Sequence, residues 1–291
     1  AARAGACSGG VRLSASPRPV YEGPSLIPFE KVVRYTWGDE DSGQVEDWIY
    51  FSSDKVHQII FTLQPGGSFR HSDRHRTIFA ADEVFYVLEG TLALSNPETG
   101  EVHRAGAGEA IFFRRDTWHH GFNFGTGPVR VLEFFAPPPA QGTSQKYAQT
   151  KPLLKEARYA QDKMLGSWPS GRGDAERKHT MKVIRPADLL WRLEGGHQEA
   201  LEGILVSTEH LTVGTMRLLP GKGTGSRTHR GDLGAFVLEG RIRVIADGRE
   251  FDAGPRDGLY IPEGTPYECV AVSDEPADFI FSIAPDYRPS S

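Results

Sequence analysis

The sequence predicts an all-β protein made of two copies of one antiparallel unit, joined by a short helical linker. Three observations predict it. Short runs rich in β-branched and aromatic residues recur with Gly and Pro turns between them and no helical pattern inside either set. The 33 Gly and 20 Pro among 291 residues are what many short strands and tight turns require. The second half also repeats the first: Val-Leu-Glu-Gly stands at 87–90 and 237–240, and Pro-Gly stands upstream at 65–66 and 220–221. Pro65 to Val87 spans 22 residues and Pro220 to Val237 spans 17, so the first copy carries five extra residues around 71–81.

In chain order, residues 1–24 read as a disordered tail. Residues 1–20 hold no acidic residue and lack the apolar core of a secretory signal. A targeting remnant stays open, and the expected location is the cytoplasm. The first unit is expected over 25–140. Residues 35–54, acidic and broken by Gly, read as a loop with a short strand at 48–51. Residues 57–63 (HQIIFTL) read as a strand that stops at Pro65-Gly66. Two segments, 84–88 and 91–94, flank Glu89-Gly90. Residues 96–100 (NPETG) form a tight turn, and 110–113 and 129–135 complete the unit. Three prolines at 137–139 end it, since successive prolines cannot sit inside a sheet. In the linker, 141–180, residues 152–165 (PLLKEARYAQDKML) have a helical apolar period with Pro152 in the first turn, and 168–180 read as a polar connector. The second unit follows over 181–291.

Composition narrows the function. Charged residues are 24% and hydrophobic ones 38%, as in ordinary globular proteins. A net charge of −5 leaves no basic footprint for nucleic acid or an anionic membrane. No apolar run approaches the roughly 18 residues that a membrane span needs. Cys7 and Cys269 lie too far apart in the sequence, and are too few, for a disulfide scaffold. No G-x-S-x-G elbow, phosphate loop, C-x-x-C pair or dinucleotide fingerprint is present, so covalent serine or cysteine catalysis and nucleotide cofactors have no support. The expected partner is a small-molecule substrate, and a homodimer is left open.

What carries chemistry is a His/Glu set in the order His71, His75, Glu83, His119, spread over two strand-like blocks with Gly turns. Imidazole and carboxylate together suit a borderline divalent metal such as Fe, Mn, Ni, Cu or Zn. Glu83 lies in an apolar run, where an unpaired carboxylate is costly, and a metal removes that cost. These blocks resemble the two motifs of the cupins, G-x5-H-x-H-x3–4-E-x6-G and G-x5-P-x-G-x2-H-x3-N. Glu83 and Gly90 keep the spacing that ends the first motif, and Gly108, His119 and Asn123 keep that of the second. Arg114 and Asp116 stand where the second motif has Pro and Gly, and His71-x3-His75 replaces the compact H-x-H. The resemblance implies two tandem cupin-type antiparallel β-barrels, jelly-roll-like, with a metal inside the first. The ligand set is either three His and one Glu, or two His and one carboxylate if His75 lies at the pocket rim.

In the second copy, Arg227, Leu233 and Tyr267 occupy ligand positions and only His229 survives, so that barrel is expected to hold no complete metal site. Arg114, Phe85 and Phe113 are candidate substrate contacts: guanidinium suits a carboxylate or phenolate, and the rings suit a planar organic molecule. The expected function is a non-haem Fe(II) dioxygenase acting on a small aromatic, diketone or carboxylate substrate. The alternatives are a Mn-, Ni- or Zn-dependent isomerase, lyase or decarboxylase, and a non-catalytic small-molecule or sugar-binding protein.

Overall fold

The computed structural model describes residues 17–72, 75, 78–137, 151, 152, 154, 156, 166, 167 and 170–289. After β1 (Ser25–Ile27), the N-terminal half contains β2 (Val33–Asp39), β3 (Gly43–Ser52), β4 (His57–Leu63), β5 (Ser68–Phe69), β6 (Asp82–Glu89), β7 (Thr91–Ser95), β8 (Val102–Gly106), β9 (Ala110–Phe113), β10 (His120–Phe122) and β11 (Val129–Ala136). Helix α1 (Ser170–Glu176) leads to β12 (Met181–Ile184). The second half contains β13 (Leu190–Glu194), β14 (Ala200–Ser207), β15 (Thr212–Leu218), β16 (Arg230–Glu239), β17 (Ile242–Ala246), β18 (Arg249–Ala253), β19 (Gly258–Ile261), β20 (Tyr267–Ala271) and β21 (Ala277–Asp286). No helix among the described residues is long and apolar enough to cross a membrane.

Each half is a barrel-like sandwich. A seven-stranded antiparallel sheet, β12-β9-β6-β11-β4-β3-β2, faces the small sheet β5-β10-β7-β8 in the first half; β1-β19-β16-β21-β15-β14-β13 faces β18-β17-β20 in the second. The order is the same in both, with β6 matching β16 and β11 matching β21. One strand of each large sheet is exchanged: β1 pairs with β19 of the second barrel, and β12 pairs with β9 of the first. The boundaries expected at 25 and 181 therefore fall on strands that belong to the opposite barrel. Residues 17–24, expected within the tail, touch the fold: Ser52 N–H donates to Pro19 O at 2.8 Å, and Tyr21 packs on Tyr260.

The central strands of the large sheets are buried on both faces, which explains their nearly unbroken apolar runs. Alternation along β6 sends Glu83, Phe85 and Val87 into the first barrel and Val84 and Tyr86 toward the second. Phe61, Phe85, Leu92, Leu94, Ile111 and Val131 form the first barrel's own core. Between the barrels, Tyr50, Phe51, Val84 and Phe134 share a core with Val213, Phe236, Tyr260 and Ile280.

Two local expectations change. Residues 35–54 are not mainly loop but the β2–β3 hairpin. Asp39 holds its turn, its Oδ1 accepting from the Ser42 N–H at 2.8 Å. The polar composition arises because β2 is the outer edge of its sheet and is largely exposed. The 168–180 connector contains α1, braced by the ion pairs Arg172–Glu176 and Arg177–Asp174. The helix expected over 152–165 lies outside the described residues, apart from Pro152, Leu154 and Glu156.

The repeated Leu-Glu-Gly turns have one cause. Gly90 and Gly240 have φ of 78° and 69°, and a Cβ there would stand 2.6 Å from Pro128 O and 2.7 Å from Pro276 O. Between the barrels, a Cβ on Gly234 would stand 2.5 Å from the Phe51 ring and 2.6 Å from Gln58 Oε1. Gly234→Ala is therefore expected to destabilise by about 1–3 kcal/mol through overpacking. Denaturant unfolding checks this, and an unchanged midpoint counts against the shared core.

Candidate metal centre

Glu83 and His119 meet inside the first barrel. Glu83 comes from β6, and His119 from the turn before β10, where its Nδ1 donates to Thr117 O at 3.0 Å. That bond places the proton on Nδ1, so Nε2 is the basic nitrogen, and it lies 3.8 Å from Glu83 Oε2. Glu83 Oε2 is buried and has no hydrogen-bond partner. Phe69, Phe79, Phe85 and Phe113 surround the imidazole, with ring centroids 4.6–6.2 Å from it. The candidate substrate contacts Phe85 and Phe113 thus lie in the wall around His119.

His71 and His75 lie elsewhere. His75 Nδ1 donates to Asp39 Oδ2 at 3.2 Å, and its ring sits against Trp37. His71 closes onto His120, with its Nε2 at 2.6 Å from Leu154 O and its ring beside Trp118. Among the described residues these four do not form a group of three donors within 4.8 Å of one another; only Glu101, His103 and His179 do. Of the four candidate ligands, the structure brings Glu83 and His119 together and places His71 and His75 against other partners.

The insertion is the reason. Asp116 N–H donates to Phe79 O at 2.8 Å, just as Gly264 N–H donates to His229 O at 2.9 Å. Phe79 thus holds the place that His229 holds in the second copy, and the histidines of the first copy lie upstream in the inserted stretch. Asp116 also has φ 61°, the left-handed conformation that Gly264 adopts at φ 73°, so the missing motif glycine does not disrupt the turn.

Arg114 does not reach the interior. Its Nε lies 2.9 Å from Asp82 Oδ1, and its Nη2 pairs with Glu209 of the second barrel. Thr208 Oγ1 donates to Asp82 at 2.8 Å, so this group ties the barrels together on the face opposite Glu83.

Three interior groups were not among the sequence candidates: Glu133 on β11, Asp47 on β3 and His57 on β4. A charged residue in the otherwise apolar run 131–136 (VLEFFA) is the signal that would have found Glu133. Burial raises the carboxyls of Glu83 and Glu133, and their mutual repulsion raises Glu83 further. Burial, then the Glu133 charge, raises Asp47. Burial lowers His119 to about 4 and His57 to about 3. Burial thus favours the neutral forms of these imidazoles and carboxyls. Glu83 and His119 offer a divalent ion one carboxylate and one imidazole, a mixed donor pair that suits Fe(II) or Mn(II), and Glu133 adjoins them through its hydrogen bond to Glu83.

The second barrel meets the same problem differently. Glu202 faces Met216 across β14–β15 as Asp47 faces Phe61 across β3–β4, four residues before the matched prolines in each copy. Glu202 Oε2 accepts from Arg227 Nη2 at 2.8 Å, and Glu202 Oε1 accepts from the Tyr287 hydroxyl. His229 Nε2 lies 2.9 Å from the Tyr267 hydroxyl. A cavity of about 10 Å³ remains there, room for one water at most. An internal ion pair stands where a metal set would be.

Two predictions follow from this contrast. Arg227→Met leaves buried Glu202 with only the Tyr287 hydroxyl and Arg192 Nη1, 3.7 Å from Oε1, and is expected to cost about 3 kcal/mol, measured by chemical denaturation. In the metal-free protein, Glu133 has a folded pKa above its unfolded value, so the native state binds more protons between the two and stability falls as pH rises through the folded pKa. The buried histidines act in the opposite direction, but only below about pH 7. Above that, Glu133→Gln is expected to flatten the loss of stability seen in the parent, read as melting temperature against pH; parallel curves contradict the assignment.

The cupin domain family matches residues 59–135 and 214–283. A comparison with curated proteins gave no significant sequence match. Among solved structures, the chain is similar to a putative glyoxylate induced protein from Pseudomonas aeruginosa, with TM-score 0.64 and 16% identity over 92% of this chain and 91% of that one. It is also similar to AerE from Microcystis aeruginosa, with TM-score 0.58 and 11% identity over 87% and 97%. Oxalate decarboxylase from Bacillus subtilis gives TM-score 0.59 and 14% identity over 94% and 79%. With two matched regions in the two barrels, the chain belongs to the cupin family and is a bicupin.

Proposed function

We propose that this bicupin is a metal-dependent enzyme whose N-terminal barrel transforms a small organic substrate by proton-transfer chemistry: decarboxylation, isomerisation or lysis. The observation that carries the reading is Glu83 Oε2, buried without a hydrogen-bond partner and facing His119 Nε2 at 3.8 Å. A bound divalent ion, Mn(II) or Fe(II), would supply a positive charge that polarises a substrate oxygen. Glu83 and His119 would hold it. Glu133 holds a proton next to Glu83 and is the group placed to deliver or accept one at a substrate carbon. Phe69, Phe79, Phe85 and Phe113 keep water away from that exchange. Likeness in fold to oxalate decarboxylase does not assign a substrate.

The second reading is the dioxygen-consuming Fe(II) oxidation expected from the motifs. The aromatic enclosure of His119 favours it, because it would shelter a reactive oxidant. The two readings separate on one experiment. The protein is reconstituted anaerobically with Mn(II) or Fe(II), offered small carboxylates, diketones and phenols, and then given oxygen at an electrode. Turnover without oxygen uptake, lost in Glu133→Gln, is the expected result. Stoichiometric oxygen uptake restricted to iron supports the second reading. Absence of metal uptake overturns both and leaves a binding protein.

A further inference from the structure

We propose that Glu101, His103 and His179 form a second divalent-cation site, separate from the barrel interior, that clips the exchanged strand β12 to the first barrel. The inference does not rest on the function proposed above. The donor atoms of these three side chains all lie within 4.8 Å of one another. Glu101 and His103 come from the start of β8, just after the 96–100 turn, and His179 comes from the segment that enters β12. The His103 and His179 rings stand nearly perpendicular, at 89°, with centroids 4.9 Å apart. His103 Nε2 lies 2.9 Å from Glu101 Oε2.

Glu101 is prepared as an anion. Burial would raise its carboxyl, but hydrogen bonds from His103, Thr180 and Thr99 outweigh this and hold it at about 2. Thr180 N–H reaches Oε1 at 2.8 Å, and Met181 N–H reaches Oε2 at 3.2 Å. This carboxylate therefore already anchors the first residues of β12. His103 and His179, nearer to solvent, would complete two imidazoles and one carboxylate, with water in the fourth position. That set is suited to Zn(II), with Co(II) or Ni(II) as substitutes. Zinc bond lengths of about 2.0–2.1 Å put neighbouring donors about 3.3 Å apart, so a rotation of the His179 side chain closes the site. Binding requires an unprotonated His103 Nε2; the proton it gives to Glu101 moves to Nδ1 or to solvent.

The test is Zn(II) titration by calorimetry and Co(II) absorption on the full chain, on His103→Ala, on His179→Ala and on Glu83→Gln, each checked for folding by circular dichroism. The expected result is that either His variant weakens one class of zinc binding more than about tenfold, removes the tetrahedral Co(II) band and abolishes the zinc-induced rise in melting temperature. Glu83→Gln should leave that class intact. Unchanged zinc binding in both His variants, or no zinc uptake by the parent, overturns the proposal. Loss confined to Glu83→Gln would also overturn it, while supporting the barrel centre.

Discussion

A carboxylate inside a β-barrel needs an opposite charge, a proton or a metal, because the desolvated anion alone is too costly. Both halves of this bicupin keep an inward acid at the same register position, Asp47 in one and Glu202 in the other. In the second barrel Arg227 neutralises Glu202, and Tyr287 completes the network. In the first, burial raises the carboxyls of Glu83 and Asp47, and the neighbouring acid Glu133 raises them further. One barrel is closed by an internal ion pair, whereas the other is left with carboxyls suited to protons or a cation.

The architecture keeps these two solutions apart and rigid. Strands β6 and β11 expose one face to the first barrel's interior and the other to the core shared by both barrels. Glu83 is thus fixed by a strand whose other face is packed, and its neighbour Asp82 bonds to Thr208 of the second barrel. The exchanged strands β1 and β12 widen that joint. The second barrel backs the strands that carry Glu83 and Glu133.

Much of this was legible in the sequence, and the failures have physical causes. The repeat showed two barrels because Gly90 and Gly240 answer the same steric demand. Glu83 and His119 come together because their motif spacings reflect a strand and a turn that both copies preserve. His71 and His75 lie away from that pair because an insertion breaks register: the fold aligns Phe79 with His229. Alternation sends Arg114 to the joint between the barrels. Glu133 and Asp47 were missed because a strand acid is ordinary in sequence until its partner strands show which face it takes. The exchanged strands are three and four residues long, too short for periodicity to assign to a sheet.

The most direct test of the central claim is anomalous diffraction from crystals grown with Mn(II). A single barrel-interior peak between Glu83 and His119, within bonding distance of both, is the predicted result. Manganese bound among Arg227, His229 and Tyr267, or a first-barrel interior with none at saturating Mn(II), would contradict it.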